Sequence, residues 1–566
     1  MKFEEMKYNR PDHKAVLAEL ESIQNRIKNA ENYEMFKNAF LDLDDLMQHV
    51  DTQANLCYIR HTINTADEFY KQETDYFDEI NPVLEEYITQ INRAILESDY
   101  SEQLREEIPQ TWFTKAEFGL KSMSPEIVED LQTEAKLQSA YQALVASAKI
   151  PFEGETYTLA SLQKKMADKN REVRKEATKA YWQWFADHEE EIGKIYSDMV
   201  DVRTRMAKKL GFENYVPLGY LKMQRLDYDK EDVEKYRENV VKAVVPVCTA
   251  LYEKQAKSLG YPDFHISAWD EKIEFVSGNP APKHSRDEMV QAALKMYQDL
   301  SPETGEYFEK MVNQNLMDLD AKPHKAAGGY CTGLNDYKVP FIFANFNGTN
   351  SDVETLTHEA GHGFQAYSSR NIVPASVMWP TMESAEIHSM SMEFFTWPWM
   401  KDFFEEDTDK YYFSHLGGSV KFIPYGVLVD HFQHEVYEHP EWTHEQRMDC
   451  FRRLEKEYLP HKDYEGIDVL ERGGWWMRQL HIFMNPFYYI DYTLAQVCAL
   501  QFWKRLQDQD PKAFEDYKAI CELGGTLPFK EIVRKANLKV PFEDGCLDET
   551  MDSVSEWFKD RNNADN

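Results

Sequence analysis

His358 and His362 stand four residues apart in the run His358-Glu359-Ala360-Gly361-His362. On an α-helix, residues four apart lie about 40° apart around the axis and one turn apart along it. Both imidazoles then leave the same face, and their nitrogens can reach one Zn²⁺ at about 2.0–2.1 Å. Glu359 lies about 100° round from His358. It can hydrogen-bond a water held by such an ion without ligating the ion itself. A catalytic zinc needs a third protein ligand and an open position, so the fold has to bring one more donor against this helix.

The segment Met382 to Glu393 offers that donor. It reads as a second helix on which Glu383, Glu386 and Glu393 line one face beside Met382, Met390 and Phe394. Three carboxylates on a largely apolar helix are costly to bury without a cation, which points to metal ligation by one of them. His388 is a competing ligand, but its side chain points about 200° round from that of Glu386, so the two do not easily serve one metal.

The run Lys338 to Phe346 is extended and aromatic-rich, and it ends a few residues before the His358 helix. Pro340 suits an edge strand, and an edge at Phe341–Phe346 would pair with the main chain of an extended peptide. That reading makes Phe343 and Ala344 candidate substrate contacts.

Elsewhere helical periodicity dominates. Val16, Leu20, Ile23 and Ile27 form one stripe, and Val83, Tyr87, Ile91 and Ile95 form another on a helix expected to begin near Pro82. Ser124-Pro125 reads as a cap and first position of a helix running towards Ala148. Glu153-Gly154-Glu155 joins two short strands in a hairpin. The sequence holds no internal repeat, low-complexity tract or obvious linker. The expected fold is mostly α, with a small β-sheet beside the HExxH helix.

Charge narrows the partners. The 566 residues carry 64 Lys+Arg against 99 Asp+Glu, a formal net charge of -35. Such a surface repels nucleic acid and anionic membrane, so neither is an expected partner, and no run reaches the roughly 18 apolar residues of a membrane helix. The opening MKFEEMKYNRPDHK lacks an apolar core of the signal-peptide kind. Seven cysteines are scattered singly with no CxxC pair, which suits a reducing compartment. A cytoplasmic location is the expectation. Oligomeric state is left open.

Hydrolysing an amide needs an activated water, a proton carrier and a stabiliser of the oxyanion. Glu359 is the candidate general base. His481 and the tyrosines Tyr488, Tyr489 and Tyr492 are candidate oxyanion donors.

The run His358-Glu359-Ala360-Gly361-His362-Gly363-Phe364, followed by Glu383-Ser384-Ala385-Glu386-Ile387-His388-Ser389-Met390-Ser391-Met392-Glu393-Phe394, resembles the thimet oligopeptidase and oligoendopeptidase F family. Within it, the oligoendopeptidase F and Pz-peptidase branch is most similar. Leu210-Gly211-Phe212-Glu213-Asn214-Tyr215, Gly328-Gly329-Tyr330-Cys331 and Phe487-Tyr488-Tyr489-Ile490-Asp491-Tyr492 extend the resemblance.

The resemblance implies a helical ellipsoid divided by a deep channel, with one Zn²⁺ per chain on the channel floor. An N-terminal helical region, 1–200, would form one wall, and 201–566 would carry the zinc. The third ligand would be Glu386, and Glu393 would accept the free N–H of a zinc histidine. Tyr492 and His481 would act on the tetrahedral intermediate. Tyr488 and Tyr489 would touch substrate, and Gly329 would face the cleft. His481 falls one residue out of the family's register, and Pro486-Phe487 matches no further family tyrosine.

The implied activity is cleavage of internal bonds in short peptides. Two other readings compete. A dipeptide-releasing carboxypeptidase resembling angiotensin-converting enzyme also has a glutamate 24 residues after its second histidine (386 - 362 = 24). That family places an aspartate where this chain has Met390. A peptide-binding scaffold with a degenerate site is the third, and retention of His358, His362 and Glu359 argues against it.

Overall fold

The computed structural model describes residues 1–261 and 265–561. The first long helix, His13–Lys28, is opened by Asp12, whose carboxylate accepts from Lys14 N at 3.0 Å. Its 4-3-4 stripe, Val16, Leu20, Ile23 and Ile27, is buried as the spacing predicts. Those residues pack with Phe36 and Phe40 of Tyr33–Ile63, and with Phe77, Ile80, Leu84, Ile91 and Ile95 of Glu68–Leu96. Truncating a core residue such as Ile23 to alanine would cost about 2–5 kcal/mol.

The Pro82 reading is corrected here. The helix begins at Glu68 and runs through Pro82, and Val83 is 41% exposed. Leu84, one residue on and about 100° round, takes the buried position instead. Ser124 caps a short 3₁₀ turn, Pro125–Ile127, that leads into Val128–Ala146. The hairpin forms from β1 (Ile150–Phe152) and β2 (Glu155–Tyr157), turning at Glu153 and Gly154, both with positive φ.

The second sheet is built from β3 (Met317–Asp320), β4 (Tyr330–Leu334) and β5 (Val339–Phe346), in the order β3-β5-β4. The expectation that Phe341–Phe346 is an edge is therefore overturned. β5 is the central strand, parallel to β3 and antiparallel to β4, with Tyr330 opposite Phe343 and Leu334 opposite Val339. Phe341, Ile342, Phe343 and Ala344 are all fully buried. With β3 on one side and β4 on the other, both lateral edges of β5 are paired and neither is free to take a further strand. Pro340 is tolerated because β3 first pairs with β5 at Ile342, so on that side the proline has no ladder to break.

The chain folds as two compact units. One comprises Met1–Leu120, Pro280–Thr408 and Cys498–Lys539, and it holds the three-stranded sheet and the HExxH helix. The other comprises Lys121–Asn279, Asp409–Val497 and Val540–Asn566. The helix Glu189–Lys209 runs unbroken through the 200/201 position where the sequence reading divides the chain. Among the described residues, no helix is long and apolar enough to cross a membrane.

Candidate metal centre

The HExxH motif sits on Ser351–Ser369. The loop ahead of it is tied back by Asp352, whose carboxylate accepts from Asn347 N at 2.9 Å and Gly348 N at 2.8 Å. Gly361 lets the second helix, Met382–Phe395, come against the first. A Cβ at 361 would stand 2.6 Å from the His388 carbonyl oxygen and 2.7 Å from Ser389 Cα. That close approach brings Glu386 to the two histidines.

Glu386 Oε2 lies 3.3 Å from His358 Nε2 and 3.5 Å from His362 Nε2. One donor atom from each of the three residues falls within 4.8 Å of the others. Tetrahedral ligands at 2.0–2.1 Å from a common centre stand about 3.3 Å apart, so both measured gaps suit a shared zinc. Two imidazole nitrogens and one carboxylate oxygen also form a donor set that catalytic zinc takes.

The surrounding groups set the orientation. Glu393 Oε1 lies 2.7 Å from His358 Nδ1. An Nδ1–H donated there leaves the lone pair on Nε2, the atom facing Glu386. Ser389 Oγ donates to Glu386 Oε2 at 2.9 Å. Burial works to raise the Glu386 carboxyl, but His362 and His358 outweigh it and hold the group well below the usual carboxylate range. For His358 burial works downwards, and Glu386 with Glu393 reverses it, so its pKa lies well above the ordinary histidine value.

Glu359 is buried beside this cluster, and its Oε2 has no hydrogen-bond partner. Burial raises its pKa, against the pull of His358 and His362. A Cβ on the exposed Gly329 would lie 3.4 Å from Glu359 Oε1. The segment leading into β4 therefore passes directly over this carboxylate.

The other acidic and imidazole candidates separate cleanly. Glu383 is fully buried and accepts from Thr381 Oγ1 at 2.9 Å. His388 is fully buried, takes no part in the cluster, and is pulled down to about 4 by burial. Phe343 and Ala344 are fully buried within β5, so neither can touch substrate as the edge-strand reading expects.

A second group of sequence candidates gathers in the other unit. The His481 ring centroid stands 4.8 Å from that of Tyr489 and 6.1 Å from that of Tyr492, and Tyr488 stands 4.9 Å from Tyr492. The tautomer of His481 follows from its partners. Tyr425 OH donates to Gln479 Oε1 at 2.6 Å, which turns the Gln479 amide N–H towards His481 Nδ1 at 2.8 Å. Nδ1 thus accepts, and Nε2 carries the hydrogen. Burial lowers the His481 pKa and favours this neutral, donating form.

The chain matches the family model described as Peptidase family M3 over residues 165–552, and the Peptidase M3 N-terminal domain over residues 3–123. This chain belongs to peptidase family M3. Among solved structures, the M3 chain is similar to one titled Pz peptidase A with inhibitor 2, at 48% identity and a TM-score of 0.92, with 99% of each chain covered. It is also similar to a structure titled as an oligoendopeptidase F from Bacillus anthracis str. Ames, at 45% identity and a TM-score of 0.87, covering 99% of this chain and 98% of that one. An oligoendopeptidase F homolog of Borreliella burgdorferi is 22% identical over 391 residues, 67% of this chain and 62% of that protein. A homolog from Mycoplasma genitalium is 21% identical over 48% of this chain and 47% of that protein. The resemblance read from the HEAGH and glutamate helices is thus the family to which the M3 chain belongs.

Several residues that shape these clusters carry no sequence signal of their own. Gln479, two positions before His481, could have been found by proximity. Tyr425 lies 54 residues before the Gln479 it bonds, and Gln433 and Arg225 lie 54 and 262 residues before Phe487, whose backbone they hydrogen-bond, so only the fold brings them there.

Proposed function

We propose that this M3 peptidase is a zinc-dependent endopeptidase that cuts internal bonds of short peptides. The observation that carries the reading is the meeting of His358 Nε2, His362 Nε2 and Glu386 Oε2 beside the unpartnered, buried Glu359 carboxylate. His358, His362 and Glu386 would hold one Zn²⁺. A bound zinc lowers the pKa of a ligated water to about 7 and polarises a carbonyl. Glu359 takes the proton of the attacking water at its free Oε2 and delivers it to the leaving amine nitrogen. Its raised pKa suits a group that must both accept and return a proton near neutrality. Glu393 holds His358 in the tautomer that leaves Nε2 free.

The remaining roles are those that the family resemblance implies. Gly328 and Gly329 expose backbone above Glu359, where the main chain of an extended peptide can lie against them. His481, with its hydrogen on Nε2, and the Tyr492 hydroxyl donate to the developing oxyanion. Tyr488 and Tyr489 contact the peptide. All seven cysteines are free thiols and six are buried, in keeping with a cytoplasmic setting.

A peptide blocked at both termini tests the reading against its competitors. Cleavage at an internal bond is expected, with loss on chelation and recovery on adding zinc. Cleavage only of peptides with a free C-terminus, two residues at a time, would instead support the carboxypeptidase. Binding without turnover would support the scaffold.

A further inference from the structure

Arg478 is a cation without an anion. Its Nε is buried with no hydrogen-bond partner, and among the described residues no carboxylate lies within ion-pair distance of the guanidinium. The buried arginines of its unit are served differently. Arg174 has Asp270 at 2.6 Å, Arg203 has Glu134 at 2.6 Å, Arg225 has Asp491 at 3.3 Å and Arg237 has Asp430 at 3.6 Å. Arg447 has no such carboxylate but donates to Ser197 Oγ at 2.8 Å and to the Pro440 carbonyl at 3.4 Å. Lys272 lies near enough to feel the same charge, and a half-buried guanidinium beside a second cation is costly without an anion. An anion that arrives with a ligand would remove that cost.

The neighbours are arranged for a carboxylate. Arg478 lies 5.4 Å from the Trp475 ring, which stacks on Tyr425 at 4.8 Å. Tyr181, Tyr425 and Tyr489 surround the charge. The Tyr425 proton is committed to Gln479, so that hydroxyl offers the guanidinium only lone pairs. The planar fork of an arginine matches the two oxygens of a carboxylate, and the half-buried side chain keeps part of that fork accessible. The cluster continues into the peptide-contacting candidates. Gln479 follows Arg478 in the chain and hydrogen-bonds His481, and Tyr489 adjoins both Arg478 and His481.

We infer that Arg478, framed by Trp475, Tyr425 and Tyr181, binds a carboxylate of the peptide substrate. This rests on the proposed reading of the His481–Tyr492 cluster as a peptide-contacting site. The carboxylate can be the free C-terminus or an Asp or Glu side chain.

The test uses the zinc-loaded full chain and one fluorogenic peptide core in three series. The first has a free or an amidated C-terminus. The second has Asp or Asn placed at each position in turn. The third repeats both with Arg478→Gln and Arg478→Lys. In the unaltered enzyme, removing the recognised carboxylate should raise KM about tenfold or more, the loss of one charge-assisted fork. The series that responds identifies the source. In Arg478→Gln the ratio of kcat/KM between the acid and its neutral partner should collapse to near one, and Arg478→Lys should restore part of it. An unaltered enzyme indifferent to every carboxylate, or a preference that survives in Arg478→Gln, overturns the inference. Should Arg478→Gln fail to fold, the unaltered enzyme and Arg478→Lys still decide it. Failure to cleave any peptide would overturn the peptidase reading instead, so the two failures are separable.

Discussion

Arg225 Nη2 donates to the carbonyl oxygen of Phe487 at 2.6 Å, and Phe487 is the residue from which the tyrosine run departs. The peptide N–H of Phe487 is held at its other end by Gln433 Oε1 at 3.0 Å. Clamped this way, Phe487 adopts a φ of 68°, a left-handed conformation that a bulky side chain rarely takes. Its ring is fully buried against His434, Tyr437 and Tyr220. Tyr488, Tyr489 and Tyr492 leave the chain in directions set by this clamp.

Gly219→Ala tests the clamp from its far side. A Cβ at 219 would stand 2.5 Å from Phe487 Cδ2, so the ring has to shift. Overpacking of this kind costs about 1–3 kcal/mol. We expect a lower melting temperature and a fall in kcat larger than any rise in KM, because the displaced hydroxyls are proposed to act on the transition state. Steady-state kinetics beside thermal unfolding check this. A melting shift with unaltered kcat would show that the clamp serves stability alone.

Glu359→Gln keeps the shape of the side chain but removes its proton affinity. Zinc content should be retained while kcat falls by a factor of about 10²–10⁴. Metal analysis of the purified variant, run beside single-turnover assays, separates the two effects. Loss of zinc together with activity would move Glu359 from proton carrier to metal support.

Glu386→Gln and Glu393→Ala should differ in degree. Removing the Glu386 carboxylate takes away a proposed ligand, so zinc should be lost on dialysis and activity with it. Removing Glu393 frees His358 Nδ1, now 2.7 Å from its carboxylate, and should weaken metal affinity or activity about 10–100-fold. Competition with a chelator of known affinity ranks them. Full zinc occupancy in Glu386→Gln would exclude it as a ligand.

The parts of the site legible in the sequence were those carried by local periodicity. The His358–His362 spacing fixed a helix face. The 383–386–393 pattern narrowed the third donor to one acidic face, and Glu386 was selected by resemblance. What sequence could not give was pairing across the chain. β3 and β4 are only four and five residues long, and Gly333 interrupts β4, so neither announces itself, and β5 reads as an edge although both its sides are paired. Val83 illustrates the same limit in a helix. A one-residue difference in phase separates it from Leu84, and only the neighbouring helices decide which is buried. The Gln479 amide that sets the His481 tautomer depends on Tyr425, 54 residues earlier.

His461 gives a prediction about acid stability. Its ring stacks on Tyr252 with centroids 3.7 Å apart, its side chain is 6% exposed, and neither ring nitrogen has a hydrogen-bond partner. Glu271 Oε1 lies 3.9 Å from Nε2, but Glu271 is already paired with Lys462. Burial, reinforced by Lys462 and Lys421, pulls the His461 pKa down to about 2. The unfolded chain regains the ordinary value of about 6.5. Between those two values the unfolded state holds a proton that the folded state refuses, so stability is complete above about pH 7 and declines as pH falls. For one such group the loss between pH 8 and pH 5 is about 2 kcal/mol, from one proton over roughly 1.5 pH units. His461→Phe keeps an aromatic ring on Tyr252 and cannot take up a proton. Denaturant unfolding of both proteins at pH 8, 6.5 and 5, at fixed ionic strength, should show the variant gaining about 2 kcal/mol on the parent as the pH is lowered. Parallel loss of stability in the two proteins would mean that His461 takes up its proton in the folded state as readily as in the unfolded one, and that other groups set the acid limit.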